Sequence, residues 1–238
     1  MNSLDRLRLE KAAADCGFEM MTVPHPDGLE LRSARFPETV RVRVKGEKSF
    51  EVTASDPVIL DQTAGSIPST AEGYGELYAV LRATAALART RPNRVAAEFK
   101  KKTATMPKTT EAERLVVQRV GQGLFRSALL DFWQGRCCVT GLDVPDLLRA
   151  SHIRPWAKCE TDEERLDVFN GLLLAPHLDT LFDGGLMTVD EDGTVRVSAA
   201  LTTEQQRLLG LPIAMTVQNL RSEHKSYLQF HREVVWRG

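Results

Sequence analysis

Residues 170–185, NGLLLAPHLDTLFDGG, decide how the second half of the chain is read. NGLLLAP is a short apolar run with the length of a strand. PHLDTLFDGG has the spacing of one or two helical turns, with Pro176 at the start, where its missing N–H does no harm, and glycines at the stop. Eighteen residues before this stretch sits His152, inside RASHIRPWAKC (149–159), which reads as a strand ended by a Pro-Trp break. RCCVTG (136–141) offers further strand material around a turn. Two strands and a short helix can bring their ends together at one cleft. Asp179 and Asp183, four apart, then share one helix face and can approach one hard cation.

That grouping has a chemistry. A neutral imidazole can take a proton from an attacking water near pH 7. A cation held by two carboxylates, with several waters kept, suits magnesium and leaves room for a substrate phosphate. Base and metal together make a minimal phosphodiester-cleaving site. The residues alone leave His152 open between a packed strand residue and a base, and the aspartate pair open between a solvated face and a ligand pair.

CCVTG, LLRASHIRPW and DVFNGLLLAPHLDTLFDGGL, in that order, resemble the HNH endonuclease superfamily, in its prokaryotic branch with an SHIxPW…NGLLL…LFDxGL signature. The resemblance spans about residues 110–235. It implies a ββα-metal finger in an α+β chain, a DNA substrate and Mg2+ or Mn2+ as cofactor. Carried over by position, His152 is the general base, Asn170 supports the loop or the base, and Asp179 with Asp183 holds the metal. The third letter of the motif is therefore aspartate, and His177, two residues early, is given no ligand role. Ser151 stands where many relatives carry a metal ligand, which puts tight metal binding in doubt. Arg149, Arg154 and Lys158 flank the base as phosphate contacts, or pair with the acidic run Asp162, Glu163 and Glu164. Trp156 packs under the loop or stacks on a base.

Cys16, Cys137, Cys138 and Cys159 have no framework spacing, and without a CxxC partner for Cys138 no four-cysteine structural zinc can be built. Buried apolar cysteines are expected instead.

Outward from the finger, Thr110 and Glu113 form a capping-box pair that opens a helix whose stripe runs through Leu115, Val116, Val120, Leu124 and Leu129. LMTVDEDGTVRVS reads as a hairpin turning at Asp192-Gly193, and the tail supplies helices that include His224 and His231. Residues 89–108 hold seven Lys or Arg and one acid. They read as a linker, placed at 91–109, or as a basic strap in which Lys100, Lys101 and Lys102 follow a phosphate backbone. Residues 1–90 read as a separate α+β domain. In it a helix with Leu4 and Leu7 inward precedes four short strands, and a second helix begins near Thr70. Alternation along TVRVRVKG sends Arg41, Arg43 and Lys45 to one sheet face, which is either a DNA-facing surface or a solvated one. The domain's role is recognition or regulation by analogy.

Net charge is −1 over 238 residues, so any nucleic-acid surface must be a local patch. A charged N-terminus and the lack of a long apolar run predict no leader, no membrane span and a reducing cytoplasm. Three function classes follow: a metal-dependent DNA endonuclease, such as a restriction or anti-phage effector; a degenerate nucleic-acid-binding module; or a nuclease subunit in a defence complex, silent until a partner or ligand arrives.

Overall fold

The computed structural model describes residues 2–60 and 69–238. The chain divides into two compact units, Met1–Arg89 and Thr90–Gly238. No described helix is long and apolar enough to cross a membrane.

In the N-terminal unit, α1 (Ser3–Asp15) starts at Asn2, whose side chain accepts from the Asp5 N–H. Its inward stripe is Leu9, Ala12 and Ala13, continued by Cys16. Leu4 and Leu7, expected inside, are 55% and 63% exposed. Small residues at 12, 13 and 16 let the helix approach its neighbours closely, and the leucines lie off that seam. The strands β1 (Val23–His25), β2 (Gly28–Leu31), β3 (Val40–Gly46), β4 (Ser49–Ala54) and β5 (Ser69–Glu72) form an antiparallel meander in sequential order. β5 was hidden in what reads as the start of a helix; its Ser69 and Ala71 are buried and Thr70 and Glu72 exposed, the alternation of an edge strand. α2 (Gly73–Arg89) follows, burying Leu77, Leu81 and Ala85.

β3 buries Val40 and Val42, and its basic face is not free. Arg41 pairs with Asp27 at 2.9 Å, Arg43 with Asp27 at 3.3 Å and Glu51 at 3.1 Å, and Lys45 with Glu51 at 2.9 Å. Two acids on neighbouring segments engage all three cations, which favours the solvated reading of this face.

The C-terminal unit opens on a helix where the basic run predicts a linker. The stretch read as a linker contains α3 (Pro92–Thr103), and Val95, Ala96 and Phe99 are buried in the core of this unit. Three apolar positions on one face were masked by the lysines around them. α4 (Glu111–Phe132) has the expected capping box at Thr110 and Glu113. Its buried stripe is Gly121, Phe125, Ala128 and Leu129, while Leu115 and Val116 stay about half exposed at 51% and 53%.

RCCVTG is a turn rather than a strand, with the Gly141 N–H donating to the Cys137 carbonyl. β6 (Arg149–His152) and, after the one-turn α5 (Asp162–Arg165), β7 (Gly171–Leu174) pair antiparallel, with His152 opposite Gly171. α6 (Pro176–Asp183) completes a ββα arrangement. The hairpin of β8 (Met187–Val189) and β9 (Val195–Val197) turns through Gly193 at φ +89°. α7 (Thr203–Leu208) and α8 (His224–Phe230) follow, and α8 runs into a π-helical turn over His231–Val235.

Candidate active site

β6 is placed by what lies on either side of it. Arg126 on α4 donates to the carbonyls of Leu148 at 2.6 Å and Pro145 at 2.8 Å, fixing the approach to the strand. At Gly171 an added Cβ would lie 2.6 Å from Phe125 Cζ and 2.7 Å from Leu129 Cδ1. The bare glycine therefore lets β7 settle on α4. On the same floor, the His152 ring stacks on Phe125 with centroids 3.8 Å apart and planes 16° apart. Trp156 meets the imidazole edge-on at 5.6 Å, and itself rests on Gly121, where an added Cβ would come 2.5 Å from Trp156 Cη2.

His152 Nε2 lies 2.9 Å from the Arg165 carbonyl. A carbonyl only accepts, so Nε2 carries the proton and Nδ1 is left as the lone-pair nitrogen. Burial pulls the ring's pKa below the ordinary 6.5, with the Arg165 hydrogen bond opposing. The imidazole is thus neutral at pH 7, in one tautomer, and clamped on both sides.

Asn170 is fully buried and does not touch the ring; it staples the loop that orients it. Its Oδ1 accepts from the Arg154 N–H at 2.7 Å, and its Nδ2 donates to the carbonyls of Arg154 at 3.2 Å and Glu164 at 3.1 Å and to Cys159 Sγ at 3.3 Å. Glu164 immediately precedes Arg165. The amide therefore acts on His152 through the backbone carbonyl that holds it.

Ser151, the neighbour of His152 on β6, faces α6, and its hydroxyl donates to Asp183 Oδ1 at 3.1 Å, one turn beyond Asp179. Burial raises the pKa of both carboxyls. Asp183 is pushed further by the charge of Asp179, whereas Arg149 pulls Asp179 back down. Two carboxylates that repel each other beside a hydroxyl are a hard-oxygen donor set, which fits magnesium or manganese. Among the described residues no group of three or more His, Cys, Asp or Glu forms a full cage. A cation there would take its remaining oxygens from water and substrate.

His152 and Asp183 line one cleft of about 430 Å³ together with Gln122, Trp156 and His231. Gln122 and His231 had no sequence signal linking them to it. His231 is a brace: it stacks on Phe182 at 3.9 Å, its Nε2 donates to the Phe182 carbonyl at 3.1 Å, and its Nδ1 accepts from Thr188 Oγ1 at 2.9 Å. Burial lowers its pKa to about 4, so it stays neutral.

The expected phosphate contacts divide. Arg149 and Lys158 are exposed near the site. Arg154 is engaged by Glu164 at 3.5 Å and lies over the Phe230 ring at 4.8 Å. On α3, Lys100 pairs with Glu163 at 2.7 Å and Lys102 with Glu98 at 2.7 Å, while Lys101 is exposed. The thiols are buried: Cys137 Sγ accepts from the N–H groups of Ala175 and Thr140, and burial pushes the Cys138 thiol far up.

Among curated proteins there is no match to this chain. Residues 137–190 match the family described as HNH endonuclease. That segment contains β6, β7, α6 and every residue of the cleft except Gln122, His231 and Val235. Such a domain implies a nucleic-acid substrate, and HNH nucleases generally use divalent cations. The segment that builds most of this cleft thus resembles the HNH endonuclease family, and it rests on helices from outside the matched residues.

Proposed function

We propose that the chain hydrolyses phosphodiester bonds of DNA, with His152 as the general base. The observation that carries this reading is the bond from His152 Nε2 to the Arg165 carbonyl, which leaves Nδ1 as the one acceptor on a neutral ring. Nδ1 takes the proton from a water, and that water attacks phosphorus. Asp179 and Asp183 would hold Mg2+ or Mn2+, with Ser151 orienting the Asp183 carboxylate. The bound ion would stabilise charge on the phosphate and on the leaving oxygen. Arg149 and Lys158 are placed to bind the flanking phosphates, and Lys101 is the cation of the α3 run with no ion pair among the described residues.

Nicking of supercoiled plasmid by the purified chain, with Mg2+, Mn2+ or EDTA, tests this. His152→Ala should lower the rate by about 10²- to 10⁴-fold, read well below the melting temperature of the variant, which the lost Phe125 stacking and Arg165 hydrogen bond will lower. Equal cleavage by the variant removes His152 from the chemistry. A parent chain that cuts in neither metal selects the alternative, a subunit silent without its partner or ligand. A restriction or anti-phage setting follows from the family likeness, and phage plating on cells carrying either chain tests it.

A further inference from the structure

The N-terminal unit holds a cleft of about 420 Å³ lined by Arg8, Lys11, Lys48, Tyr74 and Tyr78. We propose that this cleft binds a nucleotide unit, with a phosphate among Arg8, Lys11 and Lys48 and a base against the two tyrosines.

Three cations and two aromatic rings meet where α1, the β3–β4 turn and the start of α2 come together. Among the described residues neither Arg8 nor Lys48 has an ion-pair partner. Lys11 shares Asp15 at 2.7 Å with the Tyr78 hydroxyl, which donates to the same carboxylate at 2.9 Å. Asp15 is therefore already engaged by two partners, and no acid lines the cleft among the described residues. The contrast with the sheet face is direct: Arg41, Arg43 and Lys45 are all tied to Asp27 or Glu51, whereas here Lys11 alone of the three cations has an ion-pair partner among the described residues.

The backbone supports the same reading. Lys48 sits at φ +62°, a left-handed conformation that glycine or asparagine adopts more readily in a two-residue hairpin turn. Its carbonyl accepts from the Gly73 N–H at 2.6 Å, which locks the turn beside Tyr74. A strained non-glycine residue held by its surroundings is a recurring feature of ligand sites. Arg8 lies 5.7 Å from the centre of the Tyr74 ring, so one flat cation already occupies an aromatic face. Tyr74 also packs on Phe50 at 5.1 Å, which keeps the ring in place. Cations for a phosphate and ordered rings for a base are the two halves of sequence-tolerant nucleotide recognition. The volume falls within the few hundred Å³ usual for small-ligand clefts.

The ligand can be a free nucleotide or one residue of an unpaired strand. Calorimetric titration of the full chain in EDTA, carrying His152→Ala so that nothing is cut, separates the two. The probes are adenosine 5′-monophosphate, the oligomer (dA)5 and inorganic phosphate. Binding of the mononucleotide that competes with (dA)5 identifies the free ligand as sufficient; binding of (dA)5 alone identifies a strand. Both support the proposal if Arg8→Glu and Lys48→Glu each weaken binding about tenfold or more, as expected for lost charge-assisted contacts. Tyr74→Leu should weaken it by roughly fivefold to a hundredfold. Arg8→Gln and Lys48→Gln repeat the test without reversing charge, and circular dichroism confirms that each variant is folded. Inorganic phosphate binding as tightly as the nucleotide, with Tyr74→Leu silent, would overturn the nucleotide class. No binding, or binding that survives all the charge changes in a folded chain, overturns the site itself. The test reads no cleavage, so it stands or falls separately from the nuclease assignment.

Discussion

Removing the Asn170 side chain tests the link between the buried amide and the base. In Asn170→Ala the Arg154 N–H loses its 2.7 Å acceptor, and the carbonyls of Arg154 and Glu164 lose their donor, all inside the unit. At about 1 kcal/mol net per hydrogen bond, and more for groups left buried and unpaired, the loss is about 2–4 kcal/mol. For a unit of this size each kcal/mol moves the melting temperature by about 2–4 °C, giving a fall of roughly 4–16 °C. All three tryptophans, Trp133, Trp156 and Trp236, lie in the C-terminal unit, so their fluorescence reports that unit's melting. Asn170→Asp keeps the volume but turns an oxygen toward two carbonyls. Its carboxyl pKa must rise in the fold, so part of the lost stability returns as pH falls through that raised value. Because the loop carries the Arg165 carbonyl that fixes His152, nicking well below the melting point should fall in both variants. A melting temperature within 2 °C of the parent (below the smallest shift estimated from the bond loss), with full nicking activity, would refute the coupling.

Asp183→Asn removes one of two repelling carboxylates, so in EDTA it should melt at or above the parent temperature, while Mg2+ or Mn2+ should raise the parent's melting point but not the variant's; a parent indifferent to both ions contradicts the donor set. The raised carboxyl values also mean that this pair destabilises the metal-free fold most at neutral pH, so the melting-point difference between Asp183→Asn and the parent should shrink as pH falls toward the carboxylate range. Since burial lowers the His152 pKa, the base stays neutral to below pH 6.5, and cleavage should be lost as pH falls through that lowered value; an acid limb centred above 6.5 in the pH–rate profile argues for another base. Gly121→Ala drives a methyl into Trp156, for an expected cost of about 1–3 kcal/mol and a shifted tryptophan emission; an unchanged spectrum and melting point would show that the wall yields freely.

Much of the site was legible because its parts are local. The Pro176 start and glycine stop mark α6 within one stretch, and spacing alone puts Asp179 and Asp183 on one face. The Thr110–Glu113 cap and the Asp192-Gly193 turn are likewise written in a few adjacent residues, because caps and turns are satisfied by near neighbours. Where the reading failed, the deciding partner was distant. The stripe Leu9, Ala12, Ala13 and Cys16 outranks Leu4 and Leu7 because close approach depends on what lies opposite. Val95, Ala96 and Phe99 were hidden by basic neighbours, and RCCVTG is no strand because its backbone turns back on itself, Cys137 donating to the Leu142 carbonyl and accepting from Gly141.

The sequence by itself determined a strand, a strand and a short helix, a histidine at the end of the first and two carboxylates on the third. Only the tertiary structure decided which nitrogen of His152 is free, because the partner is a backbone carbonyl thirteen residues away that carries no side-chain signature. It also decided that Asn170 is bonded to the loop, that Arg154 is engaged by Glu164 and Phe230, and that each cation of the Arg41 face has an ion-pair partner while Arg8 and Lys48 have none among the described residues. In each case residue type sets what a group can do, and the burial and partners supplied by distant segments set what it does.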